Sequence, residues 1–234
     1  MIIRFSLICC LLLVLSGHAP ASPRVVQSLI VEFPSSGRVI VQAREEVGRF
    51  PQMLFISERT GKVLLLRSIK DKDKWLIPEK EDHSNPPQLR FRVFRSSGFD
   101  CPMIMSVGIY HGGSDNAFYL TIFGEVQGKV RCLNERPFFA NIQGGYYLGF
   151  LNSKMGYGLA VWNFIWGNSF GEAHYSNHKY EIEVYKLEGD QFSRAIRRIS
   201  RRMYGGNGSA SLREIGIRGV DQRKGVPVIK DCLD

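Results

Sequence analysis

The 234-residue sequence predicts an all-β fold, either an antiparallel β-sandwich or a propeller-like meander, closed by one or two short C-terminal helices. Three observations lead there. Runs of β-branched and aromatic residues recur along the chain, turns bearing glycine or proline divide them, and several runs alternate strictly between apolar and polar residues. About ten such segments against one or two helical ones is the balance of an all-β protein.

The N-terminus stands apart from this pattern. Arg4 precedes a stretch over 5–15 that is apolar apart from Ser6, and Ala19-Pro20-Ala21 follows it. A basic start, a short apolar core and an A-x-A site are the parts of a cleavable secretory signal. Residues 1–21 are therefore predicted to be removed, leaving a secreted or periplasmic chain. It is read as one β-rich domain over 22–220 and a loosely ordered tail over 221–234. The apolar stretch is shorter than the roughly 20 residues that span a bilayer, and no later segment of that length is free of charge, so no transmembrane anchor is expected.

In chain order, 25–33 and 38–43 flank a Pro34-Ser-Ser-Gly37 connection and read as a hairpin. A second hairpin joins 53–56 to 62–68 through 58–61, with Gly61 where positive φ is expected. The nine charges and three prolines of 70–88 break the ladder and predict a mobile surface loop. Residues 89–94 then alternate, with Leu89, Phe91 and Val93 on one face and Arg90 and Arg92 on the other. A meander is read over 103–110, 117–123 and 129–133, followed by strands at 146–151, 159–166 and 179–187. From Gln191 two readings stay open. Phe192, Ala195, Ile196, Ile199 and Met203 fall at helical spacing, whereas the turn at 188–190 favours a strand for the first half. Ser209 or Ser211 is a candidate cap for a short helix over 212–215, with Gly216 as its stop.

The stretch "QGGYYLGFLNSKMGYGLAVWNFIW", 143–166, with "HKYEIEVYKLEGDQF", 178–192, resembles the repeat unit of secreted bacterial FG-GAP-like proteins. The resemblance covers about 50 residues and implies a propeller-like or sandwich β domain. Where that family carries a loop of aspartates this chain has Asn152, Ser153, Lys154 and Met155. A hard cation needs several anionic oxygens, so calcium is not expected, and no other cofactor is.

Three cysteines remain after cleavage. In an oxidising compartment one pair is expected, and Cys101 with Cys132 is the favoured pairing, Cys232 being left free or tying the tail. The formal net charge of +9 falls by one, to +8, when Arg4 leaves with the signal. That balance favours anionic partners: an anionic polymer, a lipid surface or an acidic protein. Nucleic acid is a poor match for an exported chain.

Several constellations are candidates for chemistry. Ser169 lies in a G-x-S-x-G pattern after an apolar strand, but a nucleophile elbow must open a helix, which the short polar stretch 172–179 does not, and the acid-then-histidine order is kept only by Glu172 before His174 or His178. Glu172, His174 and His178 have residue types suited to zinc, at a spacing that converges only on a helix. Trp162 and Trp166, in a dense aromatic set with Asn163 and Asn168 between and beside them, are candidate anchors for sugars or a protein; alternation along strands also suits a core. Arg194, Arg197, Arg198, Arg201 and Arg202 form the strongest charge feature, whose guanidinium forks suit carboxylates and phosphates but equally suit a guarded edge strand. The reading is an exported, non-enzymatic binding protein with a basic face. Its rivals are a small hydrolase or metal-dependent enzyme on Ser169 or on His174 and His178, and a structural envelope component.

Overall fold

The computed structural model describes residues 23–46, 51–66, 88–95, 98–112, 115–141, 143–167, 173, 176–206 and 208–220. The predicted leader, the 70–88 loop save its last residue, and the tail from 221 lie outside them.

The described chain is all-β and antiparallel, in three sheets. The first is β1(Arg24–Phe33), β2(Gly37–Glu45), β3(Gln52–Ser57) and β4(Val63–Leu66), in that order. The second holds β5(Gln88–Phe94), β6(Met103–Gly112), β7(Asp115–Val126) and β8(Lys129–Cys132), with β9(Phe138–Asn141) also on β7. The third is β10(Gly145–Asn152), β11(Gly156–Ile165), β12(Lys179–Glu188) and β13(Gln191–Ile199), and a 3-10 helix over Ser209–Ile215 follows it.

The sheets stack in chain order, because the apolar residues of sheet two point both ways. Ile104 and Phe123 meet Val31, Phe33, Val41 and Phe55 of sheet one. Met105, Val107, Leu120 and Ile122 face Tyr146, Leu148, Leu159 and Val161 of sheet three. A sheet covered on both faces reads as continuous apolar sequence rather than as alternation, which is why 103–110 and 117–123 lack a polar face. The far side of sheet three, with Trp162, Tyr180, Ile182 and Val184, closes on Leu212 and Ile217 around the 3-10 helix.

Amide side chains lock the stack and close strand edges of sheet two. Gln27 of β1 donates to Phe91 O and accepts from Phe91 N, both at 2.8 Å. Asn163 of β11 accepts from Asn141 N at 2.7 Å and donates to Phe139 O at 2.9 Å. Asn134 accepts from Ile122 N at 2.7 Å. Each supplies the backbone pairing a missing neighbour strand would have provided, so buried edge groups are not left orphaned.

Several expectations are corrected. The 124–128 turn is tighter than read: β7 runs on to Val126, and Gln127 and Gly128, at φ 50° and 70°, make the reversal. β9 is an element that the sequence reading lacks. The segment after Gln191 is a strand to Ile199 and not a helix: it pairs with β12 from Gln191 to Ile199, with one register shift. Ser209 and Ser211 do not cap the helix: both lie inside it and are buried, and Gly208 is the N-cap at φ 66°. A side chain at Gly208 has no room, as a Cβ there would sit 2.0 Å from the Tyr180 ring. Cys101 Sγ accepts from Glu125 N at 3.4 Å, and Cys132 Sγ donates to Asn134 O at 3.1 Å. Cys132 packs toward the sheet-one side. Cys101 lies beside Gly124 with Leu133, whose side chain belongs to the sheet-three side.

Candidate functional site

β13 is the last strand of sheet three, and its arginines are sorted by two features, strand alternation and a bulge. Pairing runs from Glu188↔Gln191 to Tyr185↔Arg194, shifts by one residue, and resumes from Val184↔Ile196 to Glu181↔Ile199. Ala195 is the extra residue, and a bulge of this kind re-aims the side chains after it. Arg194 and Arg197 consequently share one face and Arg198 points to the other.

On the first face the arginines are neutralised. Arg194 Nη1 is 2.8 Å from Glu183 Oε1, and Arg197 Nε is 2.5 Å from Glu181 Oε1 and 3.9 Å from Glu183 Oε1. Glu183 also accepts the Tyr185 hydroxyl at 2.8 Å, and burial together with that carboxylate pushes the Tyr185 hydroxyl above its ordinary range. Arg194, Glu181, Glu183 and Tyr185 line a mixed-charge cleft of about 720 Å³ together with Phe138 and Phe139.

On the other face the arginines converge without such partners. Arg198, Arg201, Arg202 and Arg213 line a groove of about 430 Å³ with Tyr204, Ala210 and Glu214. Among the described residues no ion pair within 4 Å engages any of these four side chains. The one carboxylate present is committed to the backbone: Glu214 accepts from Arg201 N at 2.7 Å, from Arg202 N at 3.1 Å and from Tyr204 Oη at 2.9 Å. Desolvation works against its charge, but those donors and the nearby Arg198 outweigh it and hold the carboxyl below its ordinary value. Glu214 thus braces the chain that carries Arg201 and Arg202. The Tyr180 ring under Gly208, with its hydroxyl donating to Gly206 O at 3.1 Å, sets the approach of the helix that brings Arg213.

The remaining candidates are distributed differently. Trp162 is fully buried in the core on the helix side of sheet three and is not a surface anchor. Trp166 is 46% exposed, edge-on to Phe164 at 5.1 Å and to His178 at 5.6 Å. Asn163 spends its amide on the β9 edge. Ser169, Glu172 and His174 lie outside the described residues, as does Asn168. His178 is buried, with Nε2 3.1 Å from Ala173 O and its backbone paired with Tyr204. No group of three potential metal ligands occurs among the described residues, and no helix among them is long and apolar enough to cross a membrane.

The sequence reading missed Arg213, Tyr204 and Glu214. A basic residue in the last turn of the 212–215 helix was the available signal, but its convergence with β13 is a long-range fact. Comparison with known proteins finds no matching family model, no matching curated protein and no matching solved structure.

Proposed function

We propose that this chain is an exported, non-enzymatic β protein that binds an anionic partner in the groove of Arg198, Arg201, Arg202 and Arg213. The observation that carries it is four arginines lining one groove in which Glu214, the only carboxylate among the described lining residues, is held by backbone donors. Guanidinium groups are weakly hydrated and present rigid donor forks, so they exchange water for carboxylate, sulfate or phosphate oxygens at low cost. An anionic polymer, lipid head groups and an acidic protein all present such oxygens. Export follows from the leader over 1–21.

The test compares two multiple variants by retention on immobilised heparin. R198S/R201S/R202S/R213S is expected to elute at markedly lower salt than the native protein, and R194S/R197S close to it. Equal elution of all three proteins removes the groove as the binding surface.

A further inference from the structure

The outer edge of β13 runs between the two grooves, and its backbone pairing state follows from the register. Ser200 N donates to Tyr180 O at 2.8 Å, so Tyr180 and Ser200 form a hydrogen-bonded pair. In an antiparallel ladder such pairs alternate with non-bonded ones, which makes Ile182↔Arg198 and Val184↔Ile196 bonded and leaves Arg197 and Ile199 turned outward. The two-residue turn at 189–190 sets the same alternation at the other end, turning Phe192 and Arg194 outward. Both ends of this outward row are occupied: Phe192 N donates to Leu133 O at 2.6 Å, and Arg201 N to Glu214. Between them, the outward backbone groups of Arg194, Arg197 and Ile199 have no hydrogen-bond partner among the described residues. Ala195, Arg197 and Ile199 are exposed, Ile199 at 55%.

This open edge contrasts with sheet two, where Gln27, Asn134 and Asn163 close edge positions with amide side chains. The chain has a device for sealing an edge and does not apply it to β13. A bulge and cationic side chains guard an edge against copies of itself, and here the guard works in one direction. A second β13 would bring three more arginines and be repelled, whereas a strand carrying carboxylates would meet Arg198 on the face that Glu181 and Glu183 leave unneutralised.

Resting on the anion-binding reading above, we infer that the β13 edge between Leu133 and Glu214 takes an extended acidic peptide as an added fifth strand of sheet three. Backbone bonds to Arg194, Arg197 and Ile199 set its register, and Arg198 with the groove arginines beside it selects its charge, the division of labour found in strand addition. The slot is about 20–25 Å long at about 3.3 Å per residue, room for about seven residues.

The experiment uses the native protein and fluorescence anisotropy with the labelled peptide Thr-Glu-Val-Glu-Val-Glu-Thr. A second copy is N-methylated at its two central peptide bonds, which keeps the charge and prevents a ladder on either edge. The unmodified peptide is expected to bind saturably and the methylated one at least tenfold more weakly. Ile199→Pro removes an outward N–H without touching the β12 ladder, and is expected to weaken the peptide at least fivefold while leaving heparin retention unchanged. Equal binding of both peptides overturns strand addition, as does binding of phosphatidylglycerol vesicles with no binding of either peptide, and both results leave the groove reading standing. Unchanged heparin retention by R198S/R201S/R202S/R213S removes that reading separately. Should Ile199→Pro fail to fold, the peptide pair on the native protein still decides.

Discussion

The two faces of β13 use the same side chain for opposite purposes. Arg194 and Arg197 lie over a strand that presents Glu181 and Glu183 at matching positions, so their charge is spent within the sheet. Arg198 lies over Ile182 on the other face and joins Arg201, Arg202 and Arg213 around a groove. Counting arginines therefore overstates the first face and misses part of the second. What separates them is the parity of a strand and one inserted residue, Ala195, with the carboxylates of the neighbouring strand deciding which guanidinium groups stay available.

The largest expected effect comes from removing the wall that holds the groove together. Gly208→Val forces a β-branched residue to φ 66° and drives its Cβ into the Tyr180 ring. Urea denaturation should show a loss of about 3 kcal/mol or more, and heparin retention should fall to that of the four-arginine variant, while the Arg194 and Arg197 pairs survive. Retention equal to native in a folded Gly208→Val protein breaks the link between helix placement and groove.

Next in size is Asn163→Leu, which strips the clasp from β9 and leaves Asn141 N and Phe139 O without their partner. About 1–3 kcal/mol of stability should be lost, with the groove side unaffected. A change in heparin retention at full folding would show that the two faces of sheet three are coupled.

The comparison itself can be inverted. Glu181→Gln with Glu183→Gln releases Arg194 and Arg197, so the paired face becomes basic. Because these are exposed pairs, stability should change by less than about 1 kcal/mol, but elution from heparin should move to higher salt. If it does not, the arrangement of the groove matters and the number of free arginines does not.

The smallest effect is a dependence on acid. The Glu214 carboxyl is lowered in the folded chain, so its contribution is present above the unfolded carboxylate range and is lost as pH falls through the folded value. Glu125 behaves likewise: desolvation opposes its charge, yet Ser35 and Ser36, whose backbone N–H groups it accepts, lower it overall. Thermal stability should therefore decline below about pH 4.5. Glu214→Gln should flatten part of that decline and make the Arg201–Arg202 segment less protected in hydrogen exchange at neutral pH. An unchanged profile means Glu214 does not brace the segment.

Much of the architecture was legible because strand alternation and turn chemistry are local. Leu89 and Phe91 were placed on the buried face of β5 from their spacing alone, and both are buried. The turns at Gly37, Gly61 and Gly189 carry the positive φ that only glycine adopts cheaply. The site was less legible. The sequence leaves Trp162 and Asn163 open between core and surface platform, because aromatic and amide groups have the same local signature in a core or a clasp as on a platform. Arg213 and Glu214 are separated from Arg198 by a turn and a helix, and nothing periodic announces that they meet.

By itself the sequence determined the β class, most strand positions and a surplus of positive charge, since each is written in neighbouring residues and in composition. Only the tertiary structure decided which way each sheet faced and which arginines are spent on carboxylates. Those outcomes depend on register and on contacts between distant segments, where a shift of one residue moves a side chain to the opposite face.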